Sequence, residues 1–133
     1  MGDEQRNLEV VARLGQLWNA GEHEAVLALY HDDIVMTAAP NWIDPGPWVG
    51  KDQVRSNQRE WASAWEQIEM SIERLEVAGD KVVCIGEWHS RGVASGVGGT
   101  LPIAIVFTFE DGLVKRFEWR EDADEALRLA GVD

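Results

Sequence analysis

Four long stretches in the C-terminal half constrain this chain more than any other feature. Residues 67–78, 81–91, 101–110 and 113–121 carry Val, Ile, Phe and Trp in alternation with polar residues, and turn chemistry separates them. Gly79-Asp80 and Asp111-Gly112 are two-residue turns of the kind that join antiparallel strands. Between Gly92 and Gly99 four glycines predict a wider hairpin loop. A sheet built this way has one apolar face, and that face must be covered by other elements of the chain.

The N-terminal half supplies the cover. Over about residues 4 to 20, Leu8, Val11, Leu14, Leu17 and Trp18 recur at helical spacing, with Asp3 placed to cap the start and Gly21 to stop the end. A shorter helix is expected from Glu22 to Tyr30, turning Val26, Leu29 and Tyr30 inward. His31-Asp32-Asp33 closes it and leads into Ile34–Ala38, a β-branched run that reads as a strand. The loop Pro40–Gly50 carries three prolines, two glycines, Trp42 and Trp48, too many apolar rings for an idle solvent loop. A third helix is expected over roughly Lys51 to Trp65. There Val54, Gln58, Trp61 and Trp65 fall on one face, which makes Gln58 a polar group on an apolar stripe. Asp122 and Glu125 predict a capped terminal helix through Leu129. Helices followed by hairpin-linked strands predict an α+β fold: a cone-shaped, curved antiparallel sheet wrapped around the N-terminal helices, hollow at its open end. The whole chain, residues 1–133, is expected to form one domain, since 45% apolar content is enough to close one core.

Composition removes several functions. The net charge is -12, from 24 acidic and 12 basic side chains, which disfavours nucleic acid and anionic membrane surfaces as partners. No run approaches the roughly 18 apolar residues of a membrane span, and the start lacks a signal-peptide pattern. The single cysteine, Cys84, excludes an internal disulfide and suits a reducing cytoplasm. No cofactor is implied. No metal is expected either, because His31, His23 and His89 do not share a ligand spacing.

Seven tryptophans need something to pack against. Helical spacing turns Trp18 inward, and strand alternation does the same for Met36, Cys84, Trp88, Ile105, Phe107, Phe117 and Trp119, opposite the face of the third helix. The candidate ligand-binding set is therefore Trp18, Tyr30, Met36, Gln58, Trp61, Trp65, Trp88, Ile105, Phe107, Phe117 and Trp119, a lining suited to a small hydrophobic molecule. The bland alternative is that these side chains simply fill the core, with Tyr30 and Gln58 bracing two elements through a mutual hydrogen bond. Glu87, His89 and Arg91 alternate outward, as do Arg116, Glu118 and Arg120, as an ion-pair lattice or a dimer surface. A β-bulge in the 81–91 strand would instead turn Glu87 and His89 inward as an acid–base pair.

The run from Asn19-Ala20-Gly21 through Tyr30-His31-Asp32-Asp33 resembles the opening of nuclear transport factor 2-like (ketosteroid isomerase-like) proteins. Gly50-Lys51-Asp52-Gln53-Val54 resembles their third-helix start, and Asp111–Trp119 with Asp122–Gly131 is similar to SnoaL-like domains. The resemblance implies the cystatin-like α+β barrel, a homodimer, and an activity anywhere among isomerases, cyclases, hydrolases and binding modules. It also locates the groups those enzymes use. The isomerase tyrosine, general base and protonated acid fall at Leu14, Ala38 and near Ile105; the epoxide-hydrolase groups fall near Gly86, Trp88 and Trp119; and the cyclase aspartate falls at Trp119. None of these is ionisable. What the resemblance retains is Tyr30, matching a tyrosine behind the isomerase catalytic groups, and Gln58, where the isomerases carry another hydrogen-bonding group.

Overall fold

A computed structural model describes residues 2–40, 44–63, 65–92 and 98–131, the side chains of 65–67, 91, 92 and 98 excepted. The elements run α1 (Asp3–Asn19), α2 (His23–Leu27), β1 (Tyr30–Thr37), β2 (Trp48–Val49), α3 (Lys51–Ser63), β3 (Trp65–Ala78), β4 (Lys81–Gly92), β5 (Gly98–Glu110), β6 (Leu113–Arg120) and α4 (Ala123–Ala130). The six strands form one curved, unclosed sheet in the order β2-β1-β6-β5-β4-β3. The fold is α+β, as the residue pattern predicts.

The four C-terminal strands pair antiparallel, β3 with β4 and β5 with β6 across two-residue turns; the wider loop expected between β4 and β5 falls on residues 93–97, outside the described residues. Asp111 and Gly112 both adopt positive φ, at 55° and 78°, as a two-residue hairpin turn requires. The expectation of a wholly antiparallel sheet fails at β1. This strand joins the free edge of β6 in parallel, matching Met36 to Phe117 and Thr37 to Glu118. After β1 the chain reverses into β2, which pairs antiparallel with it, and α3 then carries it from the β2 edge of the sheet to the β3 edge.

Three element boundaries also differ from expectation. Helix α2 ends at Leu27, so Tyr30 opens a strand and His31-Asp32-Asp33 forms an irregular swelling of β1. Helix α3 ends at Ser63, so Trp65 begins β3 opposite Gly92 and leaves the helical stripe of Val54, Gln58 and Trp61. Asp3 lies inside the first turn of α1, where its charge complements the helix dipole, and Gly2 occupies the capping position.

The main core lies between the concave sheet face and the helices. Along α1 the buried residues Asn7, Val11, Leu14, Gly15 and Trp18 define a single face. Gly15 fits closely there: a Cβ would stand 3.1 Å from both Met70 Cε and Ile72 Cδ1, and those side-chain ends would have to give by a few tenths of an ångström. Even positions Val82, Cys84 and Trp88 of β4 join this core, while Val83 and Ile85 face the other way. The convex face is not bare, as helices confined to one side would leave it. Helix α4, capped by Asp122 (2.8 Å to the Asp124 N–H), packs Ala126 and Ala130 onto Val83, Ala104 and Val106.

Bulges occur, though not in β4. Between Ile72 and Arg74, β3 gains one residue relative to β4, so core positions change from Ile68, Met70 and Ile72 to Leu75 and Val77. Gly86 pairs with Ile72 at this point, and a Cβ on it would meet the Ser71 carbonyl oxygen.

Candidate functional site

A cavity of about 100 Å3 remains between the concave face and helices α1 and α3. That is the same order as the ~150 Å3 apolar cavities that hold benzene-sized molecules. Each wall follows from a local rule. Helical spacing in α1 brings Leu14 and Trp18 to one side, and α3 contributes Asn57, Gln58 and Trp61. Strand alternation brings Tyr30, Met36, Trp88, Ile105, Phe117 and Trp119 to the floor. The indoles meet edge to face: Trp18 and Trp88 lie 5.6 Å apart between centroids, Trp61 and Trp88 6.1 Å. His23 stacks on Trp18 at 4.4 Å.

Of the eleven residues singled out from sequence, nine line this cavity. Phe107 does not: fully buried, it packs edge-on behind Phe117 at 5.2 Å. The Trp65 side chain lies outside the described part of the molecule, as does the whole of Trp42. The lining also includes Leu14, Thr37, Ala38, Trp48, Asn57 and Met70. Met70 had a signal in its alternation with Ile68 and Ile72; its pairing with Trp88 depends on the β3 bulge, since an unbroken register from the Gly79-Asp80 turn would set it opposite His89. Trp48 belongs to the ring-rich loop, which the Ala38 N–H pins by donating to the Pro45 carbonyl at 2.9 Å.

Met70 is held from outside the sheet. The Asn19 side chain donates to the Met70 carbonyl and accepts from the Met70 N–H, both at 2.7 Å, as a neighbouring strand would. A side-chain amide thereby caps the open edge of β3 beside the cavity.

Chemically the described lining holds no carboxylate, imidazole, ammonium or guanidinium. Its one ionisable group is the Tyr30 phenol. Burial drives that pKa far up, outweighing a hydrogen bond from Gln58 that favours the phenolate, so the proton stays on oxygen throughout the physiological range. Gln58 is itself 5% exposed, and its Oε1 has no partner among the described residues. The Trp18 indole Nε1–H likewise has none among the described residues. Cys84 is buried and its thiol is pushed up to about 12 by desolvation, which makes it an inert core side chain.

Glu87 and His89 stand on the opposite face of the sheet. His89 Nε2 lies 2.9 Å from Ser71 Oγ and 3.9 Å from Glu87 Oε1. Both partners meet the same ring nitrogen. Arg91 lies outside the described side chains. Arg116, Glu118 and Arg120 form ion pairs on this face, and Arg120 also reaches Glu125 of α4 at 3.3 Å.

One cluster resembles a metal site. His31, Glu110 and Asp111 bring ligand atoms within 4.8 Å of one another. His31 Nδ1 already accepts from the Asp33 N–H (3.0 Å), which leaves the ring proton on Nε2, facing Glu110 at 3.4 Å. Lys115 stands 3.4 Å from Glu110 and 3.7 Å from Asp33, so a side-chain cation already balances these acids.

Sequence and structure comparisons agree on kinship. No curated protein matches the sequence. Many solved structures share the fold, among them three at low identity. An NTF2-like protein of unknown function from Burkholderia pseudomallei superposes with a TM-score of 0.80 at 22% identity, covering 98% of each chain. A protein from Jannaschia sp. CCS1, described as a SnoaL-like polyketide cyclase, gives 0.81 at 20% identity, covering 100% of this chain and 96% of that one. RV0760c from Mycobacterium tuberculosis, in complex with estradiol-17beta-hemisuccinate, gives 0.77 at 18% identity, covering 90% and 95%. The model of the SnoaL-like domain matches residues 11–117. The chain belongs to the SnoaL-like domain family, within the nuclear transport factor 2-like fold.

Proposed function

We propose that this chain binds a small hydrophobic molecule in the aromatic cavity, and that binding, not acid–base turnover, is the cavity's task. One observation carries this: a lining of indoles and aliphatic groups whose single ionisable side chain, Tyr30, is locked in its protonated form. A general acid or base at neutral pH needs a pKa near 7, and no group in the described lining offers one. That a protein of the same fold was crystallised in complex with estradiol-17beta-hemisuccinate supports a small-molecule-binding role. The binding unit is proposed to be a single domain over residues 1–133, acting in the cytoplasm and paired as a homodimer through the polar part of the convex sheet face. No helix among the described residues is long and apolar enough to cross a membrane.

Tryptophan fluorescence tests the binding. A planar apolar ligand such as naphthalene is expected to quench emission saturably, with weaker affinity in Trp88→Ala and in Trp119→Ala. An unchanged titration in both variants overturns the proposal. Sedimentation at micromolar concentration tests the pairing, which a monomer would refute.

A further inference from the structure

The cavity is apolar but not featureless, and its polar features are unevenly satisfied. Gln58 sits mid-helix on the inner face of α3, between Val54 and Trp61, and is one of two buried polar residues in the chain's described part. An amide in that position carries two donor hydrogens and an acceptor oxygen. A hydrogen bond joins this amide to the Tyr30 phenol. The amide oxygen, Oε1, has no partner among the described residues, although its residue lines the cavity. Leaving a buried acceptor unmatched costs roughly 1–3 kcal/mol, and most buried polar groups in folded proteins are matched. A methionine or leucine would have packed the same stripe without that penalty.

Resting on the binding role proposed above, we infer that the cavity selects a neutral, flat molecule bearing a hydroxyl group, which donates its hydrogen bond to Gln58 Oε1. The same lining tells against acids. Among the described lining residues none is cationic, and the whole chain carries a net charge of -12. A carboxylate entering here loses its water and gains at most single donors such as the Trp18 Nε1–H, which do not offset the desolvation of a full charge. A carboxylate also has no proton to give Gln58. A plain hydrocarbon fits the walls and leaves the oxygen unmatched.

Three naphthalene-based probes separate these cases: naphthalene, 2-naphthol and 2-naphthoate, titrated calorimetrically into the full chain at pH 7. The hydroxyl is expected to bring about a tenfold gain over naphthalene, although naphthol is the better hydrated of the two. The carboxylate is expected to bind at least about tenfold more weakly than naphthol. In Gln58→Leu the naphthol preference should fall to about unity or below while naphthalene binding persists; Gln58→Met serves if the leucine variant does not fold. Naphthalene binding as tightly as naphthol in the wild type overturns the hydroxyl selection and leaves the apolar site standing. Naphthoate as the tightest probe overturns the neutral preference. A preference for naphthol that survives in Gln58→Leu or Gln58→Met removes the role of the amide, and binding by none of the probes overturns the site and this selection together.

Discussion

The two ends of the concave face are made of the same kinds of residue and pack differently. Near the hairpin turns, Val82 faces Phe107 in the β4–β5 register and Val114 faces Phe109 in the β5–β6 register; all but Phe109 are fully buried. At the other end Met70 faces Trp88 and Ile105 faces Trp119, and a cavity remains among them. Hydrophobicity does not separate the ends. Shape does: compact β-branched and phenyl side chains interdigitate without gaps, whereas flat indoles meeting edge to face leave space between rings. The β3 bulge opposite Gly86 divides the ends, changing which face of the strand supplies core residues. One end holds the fold together and the other holds a space open.

The strongest way to break this contrast is by truncation. Phe107→Ala is expected to lose about 3–5 kcal/mol in urea denaturation, as for a filled core. Trp88→Ala, bordering existing space, should lose less despite removing more atoms, while weakening ligand binding. Equal losses would erase the difference between the ends. Gly86→Ala tests the divider. A methyl group directed at the Ser71 carbonyl requires backbone movement, and a loss of about 3 kcal/mol is expected by the same assay. Asn19→Ala removes two hydrogen bonds to the Met70 backbone; it should cost about 1–2 kcal/mol and raise hydrogen exchange along the cavity half of β3 more than along the hairpin half.

The smallest effect near neutrality is the response to alkali. Both Cys84 and Tyr30 hold their protons more firmly when folded, the thiol to about 12 against an ordinary value near 9.0. Above those ordinary values the unfolded chain binds fewer protons than the folded one, so stability falls as pH rises. Each group contributes about 1.4 kcal/mol per pH unit, beginning near pH 9 for Cys84 and near pH 10 for Tyr30. Tyr30→Phe should remove its share of the slope above pH 10 and leave stability at pH 7 to 8 free of it; an unaltered slope would mean the phenol is not sealed.

Much of this arrangement was legible in the chain itself. Period-two alternation placed Trp88 inward and Glu87 and His89 outward, because neighbouring strand residues face opposite ways. Turn dipeptides located the hairpins. Less legible were features settled by distant contacts. Nothing local announces that β1 runs parallel to β6, since that depends on where α3 delivers the chain. The helical spacing of Trp61 and Trp65 suggested one face, yet the helix yields to the sheet after Ser63, where pairing with β4 begins. Phe107 and Phe117 both point inward, and only the packing of the two rings puts one in the wall and the other behind it. Asn19 reads as part of an inter-helix turn, and its strand-like grip on Met70 spans 51 residues of chain.

The hollow end is reported by its own methionines. Of three in the chain, Met36 and Met70 line the cavity. With methyl-labelled methionine, a titration of 2-naphthol followed by NMR is predicted to shift both of these resonances together and saturably, by ring-current effects, while Met1 stays still. Saturable binding that leaves the Met36 and Met70 methyls unmoved would place the ligand elsewhere and contradict the account.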